Sequence, residues 1–127
     1  MRLLDSDVMV DIRRGFPPAV GWLGGLSERP GLPGLVLMEL VEGCRDARDV
    51  QALMRAIAPF RLYWLTDAHQ ERAIDTYTRA HLSHGLGLLA ALIGECAVGF
   101  SAVLCTFNVR HYQAVPVLVT EQPYLRS

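Results

Sequence analysis

Four oxygen-bearing side chains stand just after short apolar runs in this sequence. Asp5 follows Leu3-Leu4, Glu39 comes two residues after Leu35-Val36-Leu37, and Thr106 and Asn108 close the run that begins at Ala102. Carboxylates combined with hydroxyl and amide oxygens are the ligands that hard divalent cations such as Mg²⁺ or Mn²⁺ take. Each acid alone has a plainer explanation, because a carboxylate near a helix N-terminus favours the helix dipole. Their recurrence at the ends of apolar runs is what points to a shared site. Glu42, one helical turn beyond Glu39, either reaches the same ion or faces water. Asp7 suits an outer position around an ion or, more simply, a helix N-cap. Arg13, Arg14, Arg110 and His111 are candidates for phosphate contacts, or plain surface groups.

Other chemistries find little support. Cys44, Cys96 and Cys105 are an odd number without CxxC spacing, which argues against a disulfide framework and against zinc. Their apolar neighbours suit small buried hydrophobes in a reducing cytosol. His69, His81 and His84 lack HxxxH or HxH spacing. No Ser or Cys with a nearby His forms a nucleophile elbow. Gly85-Leu86-Gly87 lacks the longer glycine pattern and the Lys of a phosphate loop.

The candidate residues need elements to hold them. Leu3-Leu4 reads as a short strand, followed by a helix over Val8 to Arg14 capped by Ser6 or Asp7 and stopped by Gly15. Pro17 and Pro18 open a second helix, with Ala19, Trp22, Leu23 and Leu26 at i, i+3, i+4, i+7. Pro30 to Gly34 reads as a loop. Leu35 to Leu37 has the pattern of a strand buried on both faces, which places Glu39 in the first turn of a helix from Met38 to Gly43. Asp46 opens the next helix. A strand follows over Arg61 to Leu65, then a helix capped by Thr66 or Asp67 and running to about Leu82, with Ala73, Ile74, Tyr77 and Ala80 on its packed side. After a turn at His84 to Gly87, Leu89, Leu92, Ile93 and Cys96 mark another helix. Ala102 to Thr106 is a fourth strand, Asn108 to Tyr112 a short turn or helix, and Val115 to Val119 a last, edge strand beside Pro116. The nearly apolar stretch from Leu88 to Phe107 has a membrane-spanning length. Glu95 near its middle and Gly99 make it a buried helix, a turn and a strand instead. Short apolar strands alternating with helices imply an α/β fold, with a parallel sheet of four or five strands and helices on both faces. Ligands in such sheets gather at the carboxyl ends of the strands, where Asp5, Glu39 and Asn108 fall.

Length and composition agree with this. The chain has 127 residues, is 51% apolar with a mean hydropathy of +0.24, and carries a net charge of −1. Residues 1–127 suit one domain with a real core, and disorder is excluded. A strongly basic nucleic-acid binder is excluded too. All twelve cationic side chains are Arg, which favours forked contacts to carboxylate or phosphate. Asp5 and Asp7 stand where a secretory leader needs apolar residues, so a cytoplasmic protein is expected.

Four segments together resemble a PIN domain of the VapC-type toxins of type II toxin–antitoxin pairs. They are Leu3-Leu4-Asp5-Ser6-Asp7-Val8, Leu37-Met38-Glu39-Leu40-Val41-Glu42-Gly43, Gly87-Leu88-Leu89-Ala90-Ala91-Leu92-Ile93-Gly94-Glu95-Cys96-Ala97, and Leu104-Cys105-Thr106-Phe107-Asn108-Val109-Arg110-His111-Tyr112 followed by Val115-Pro116-Val117-Leu118. Each is weak alone. Their order and spacing across almost the whole chain are specific. The resemblance implies a PIN-like fold and an Mg²⁺- or Mn²⁺-dependent endoribonuclease that cuts structured, tRNA-like RNA. It implies Asp5 and Glu39 as metal ligands and Asn108 as a positioner of a ligand or the attacking water. It also implies an antitoxin whose helix lies in an apolar groove, for which Trp22, Leu26, Leu32, Leu35 and Met38 are candidates, and assembly as a homodimer or toxin–antitoxin hetero-oligomer.

One position departs from the pattern. Ala90 stands where the family's third motif begins with Asp, normally a metal ligand. Ala90 is either a native departure or an introduced Asp→Ala change, and it puts catalysis by this chain in doubt. Glu95 is a poor substitute, because five helical residues place it on the opposite flank of the buried stripe. The alternative is a catalytically dead PIN-like module that binds protein or RNA. A response-regulator-like or nucleotide-binding domain is disfavoured by the missing phosphate loop and phosphoacceptor context.

Overall fold

The computed structural model describes residues 1–126. Its strands are β1 (Arg2–Leu4), β2 (Leu32–Pro33), β3 (Leu62–Tyr63), β4 (Val103–Cys105) and β5 (Thr120–Glu121). Its helices are α1 (Ser6–Arg13), α2 (Pro17–Gly25), α3 (Gly34–Glu42), α4 (Ala47–Ile57), α5 (Asp67–His84), α6 (Leu88–Gly99) and α7 (Val109–Tyr112). β1 pairs with β4 and β4 with β5, all parallel, and β2 pairs in parallel with β3. Gly31 joins the two sets: its N–H donates to the Arg2 carbonyl at 2.9 Å, and its carbonyl accepts from Leu4 N–H at 2.9 Å. The result is one parallel sheet in the order β3-β2-β1-β4-β5.

Helices cover both faces of that sheet. Successive strand residues point to opposite faces, yet Leu3, Leu4, Leu104 and Cys105 are all fully buried. The core continues through Val8, Met9, Val36, Leu53, Ile93 and Cys96. This is the expected α/β architecture, parallel and flanked by helices. Among the described residues no helix is long and apolar enough to cross a membrane. The stretch from Leu88 divides as expected into α6, a turn through Ser101 at φ 53°, and β4.

Four local expectations are corrected. Leu35-Val36-Leu37 lies in the first turns of α3, and the strand before it is Leu32–Pro33, inside the segment expected as a loop. A continuous apolar triplet does not distinguish a buried strand from a buried helix. Pro33, at φ −58° and ψ 135°, ends the extended segment and caps α3. Gly34 opens that helix because the Trp64 ring lies where a Cβ would stand. Second, the cap of α1 is Asp5, whose side chain accepts from Ser6 N–H, rather than Ser6 or Asp7. Third, Val115 to Val119 form turns. Pro116 has no N–H to give a ladder, Val117 adopts φ 67°, and pairing with β4 begins only at Thr120. Fourth, in α5 the buried side is His69, Ala73, Thr76 and Ala80, and Ile74 is 64% exposed rather than packed.

Candidate functional site

The order β3-β2-β1-β4-β5 runs outward in both directions from the β1–β4 pair. That pair is the topological switch point, where a crevice opens beyond the carboxyl ends of the strands. Asp5 directly follows β1 and Thr106 directly follows β4. The ladder continues one step past them, with Asp5 N–H donating to the Cys105 carbonyl at 3.0 Å. A cavity of about 180 Å³ opens here, lined by Asp5, Ser6, Glu39, Ala90, Asn108 and His111, with Leu89, Ile93 and Tyr112 as walls. The structure thus brings Asp5, Glu39, Ala90 and Asn108 to one cavity. Glu39 reaches it from the second turn of α3 rather than the first.

Asp5 is almost wholly buried at 3% exposure, and its carboxylate is held from three sides. Oδ1 accepts the Ser6 N–H at 2.8 Å. Oδ2 accepts from the Thr106 hydroxyl at 2.8 Å and from the Tyr112 hydroxyl at 3.0 Å. Thr106 is itself oriented, because its Oγ1 accepts the Asn108 N–H at 3.0 Å. With about two acceptor sites per oxygen, Oδ2 is filled and Oδ1 keeps one site open. Burial, and then the facing Asp5 carboxylate, raise the Tyr112 pKa far above its usual value, so its hydroxyl stays a donor at neutral pH.

Glu39 is the opposite case. Its Oε1 is buried without a hydrogen-bond partner. Burial raises its pKa, opposed by the Ser6 side chain and reinforced by Asp5 and Glu42. A buried, orphaned carboxylate oxygen facing a second carboxylate calls for a cation. The donors around the cavity are oxygens, which matches Mg²⁺ or Mn²⁺ in kind. In number they fall short. Ala90 offers a methyl group, and among the described residues no three His, Cys, Asp or Glu converge on one point.

Neighbouring acids do not fill the gap. Glu95 turns away to α5, accepting from Thr76 Oγ1 at 2.7 Å and from Arg72 Nε at 3.3 Å. Glu42 is exposed and outside the cavity wall. Asp7 bridges two segments: it accepts Val8 N–H at 2.8 Å and Phe107 N–H at 2.9 Å, tying the start of α1 to the chain after β4. Burial and Asp5 push its pKa up, against those two N–H groups. The thiols of Cys96 and Cys105 are buried and pushed up to about 11 and about 12, so they are inert core groups.

Sequence reasoning missed Tyr112 as a partner of Asp5. A Tyr at the inner face of a short helix was a usable signal, because a buried phenol needs an acceptor. The apolar set expected to form a partner groove is partly drawn into the core, with Trp22, Leu26 and Leu35 half-buried. Leu32 is fully buried, Leu35 packs on the core, and Trp22 packs on Tyr124 with ring centroids 6.0 Å apart. Of the five, Met38 is the well-exposed one, at 58%.

No family model and no curated protein matches this sequence. Nineteen chains of solved structures do match. A chain of a toxin–antitoxin complex from Klebsiella pneumoniae is 20% identical, with 98% of each chain covered and a TM-score of 0.78. A chain of VapBC-1 from nontypeable Haemophilus influenzae is 16% identical, covering 94% of this chain and 96% of that one, with a TM-score of 0.78. A chain of FitAcB from Neisseria gonorrhoeae is 20% identical, covering 97% and 98%, with a TM-score of 0.75. At these identities the likeness establishes the fold: a PIN-like α/β domain shared with the chains of these complexes over nearly the whole length.

Proposed function

We propose that this chain is the toxin-type half of a toxin–antitoxin pair, carrying the site of a cation-dependent endoribonuclease that Ala90 leaves incomplete. The observation that carries the reading is the meeting of Asp5, Glu39, Ala90 and Asn108 around one cavity at the β1–β4 switch point. Asp5, through its open Oδ1 site, and Glu39, through its orphaned Oε1, would hold Mg²⁺ or Mn²⁺. Such an ion, when bound, lowers the pKa of a water and offsets the charge that builds on a phosphate under attack. Thr106 and Tyr112 hold the Asp5 carboxylate in place, and Leu89 and Ile93 keep one wall of the cavity dry. Asn108 would orient a ligand or the attacking water at the mouth. Two carboxylates bind Mg²⁺ weakly, so this chain cuts structured RNA slowly or not at all.

The partner reading rests on the similar chain from Klebsiella pneumoniae, which is part of a toxin–antitoxin complex. An antitoxin, and self-association or hetero-oligomeric assembly, are proposed for this chain on that basis, in a cytoplasmic setting that suits its three free thiols. Ala90 itself favours a second reading, a module with a disabled site that acts by binding alone.

The test is cleavage of a panel of structured RNAs, tRNAs included. The chain as it stands should be nearly inert. The Ala90→Asp variant should cut in Mg²⁺ or Mn²⁺, and lose activity with EDTA or on adding Asp5→Ala. An Ala90→Asp variant that cuts nothing would move the protein to the binding-only reading.

A further inference from the structure

A groove of about 640 Å³ adjoins the cavity and shares Ser6 and Glu39 with it. It runs between α1, the end of α3 and the start of α4, and three guanidinium groups line it: Arg13 and Arg14 at the end of α1, and Arg45 before α4. Two carboxylates, Glu39 and Asp49, line it as well. Asp49 takes Arg13 at 3.6 Å and Arg45 at 4.0 Å, both long contacts, and the Arg45 side chain is 90% exposed. Arg14 has no ion-pair partner among the described residues. The guanidinium forks therefore keep most of their donors free, and forks match phosphate oxygens. Three guanidiniums against two carboxylates leave the groove one positive charge in surplus, on a chain that is slightly acidic as a whole.

We propose that this groove carries the phosphodiester backbone of a single-stranded RNA segment leading into the cavity, with Arg14, Arg45 and Arg13 on successive phosphates. The assignment rests on the ribonuclease reading for the identity of the cavity. Continuity through Ser6 and Glu39 is what links the two spaces. The charge pattern favours a polyanion over an amphipathic helix, which needs a broad apolar floor; here the apolar side chains are Val10, Leu40 and Cys44. No aromatic ring lines the groove, so bases gain no stacking platform. Binding should therefore be strongly salt-dependent and tolerant of sequence.

The experiment is fluorescence anisotropy of a labelled single-stranded RNA of about twelve nucleotides in EDTA, across a series of salt concentrations. The intact chain serves, because binding needs no cleavage. Each phosphate contact contributes roughly 0.7 to the slope of log affinity against log salt. Arg14→Gln and Arg45→Gln should each lower that slope by about 0.7 and weaken binding about fivefold at 0.1 M salt. Arg48→Gln, on the exposed side of α4, should change neither. Unchanged melting temperatures show that the variants fold. Equal RNA affinity in parent and groove variants overturns the proposal, as does no RNA binding by the parent. Loss of a co-expressed protein partner with RNA binding intact also overturns it, and assigns the groove to protein. The ribonuclease reading fails separately, if Ala90→Asp cuts nothing while RNA affinity still follows the arginines.

Discussion

Asp5 and Glu39 sit beside one cavity in contrasting states, and the contrast sets their expected behaviour. Asp5 is fixed in place by Ser6, Thr106 and Tyr112 with one Oδ1 site left open, whereas Glu39 keeps an orphaned oxygen. Tyr112 acts through Asp5 as a positioning residue. Partners of a ligating carboxylate are worth about 10–100-fold in metal affinity, so Tyr112→Phe should weaken Mn²⁺ binding by that factor in the Ala90→Asp background, read by Mn²⁺ electron paramagnetic resonance. The same change should cost only about 1 kcal/mol of stability, since Thr106 still holds Oδ2. Glu39 allows a sign to be worked out. Its folded pKa is raised by burial, so the native state binds a proton more readily than the unfolded chain. Stability is then greatest below the unfolded carboxylate range and falls as pH rises through the raised folded value. Glu39→Gln should therefore raise the melting temperature at pH 7, by roughly 1–3 °C given the partial exposure of the group. The gain should vanish near pH 3. A loss of stability at pH 7 would contradict this account of the orphaned oxygen.

Helices α3 and α6 bring Glu39 and Ala90 to the cavity, and they show how far the sequence could be read. The periodicity of α6 and the two glycines around it were legible because Leu89, Ile93 and Cys96 repeat at helical spacing. The start of α3 was not, because a continuous apolar triplet such as Leu35-Val36-Leu37 suits either conformation and the deciding contact lies far along the chain: the Trp64 ring over Gly34. Glu39 nevertheless reached the expected cavity. Moving the helix start back four residues adds about one turn, which returns the side chain to nearly the same face. The Tyr112–Asp5 bond joins residues 107 positions apart, and no local pattern encodes it. Gly34→Ala should push Cβ into the Trp64 ring and destabilise the fold by about 1–3 kcal/mol, measured by urea unfolding. Glu95 belongs to the α5–α6 seam, with Thr76 and Arg72. Glu95→Ala should cost about 1–3 kcal/mol by leaving buried Thr76 without its acceptor, while leaving cleavage by the Ala90→Asp variant intact. Lost cleavage in a folded Glu95→Ala, Ala90→Asp protein would mean that Glu95 serves the cavity after all.

Across the whole molecule, a parallel sheet with its switch point at β1–β4 fixes where chemistry happens, and the charge distribution fixes what approaches. Asp5 and Thr106 are placed by the backbone ladder itself and joined by a hydrogen bond between their side chains. The incomplete acid set is the central feature of the account, and direct titration of Mn²⁺ by electron paramagnetic resonance tests it most cleanly, without any assumption about the RNA. Three proteins are compared: the chain itself, Ala90→Asp, and Ala90→Asp combined with Asp5→Ala. A third carboxylate at position 90 should tighten Mn²⁺ binding at least tenfold, to one ion per chain, and removal of Asp5 should abolish the gain. Equal Mn²⁺ binding by all three proteins would contradict the assignment of Asp5, Glu39 and position 90 to one cation site.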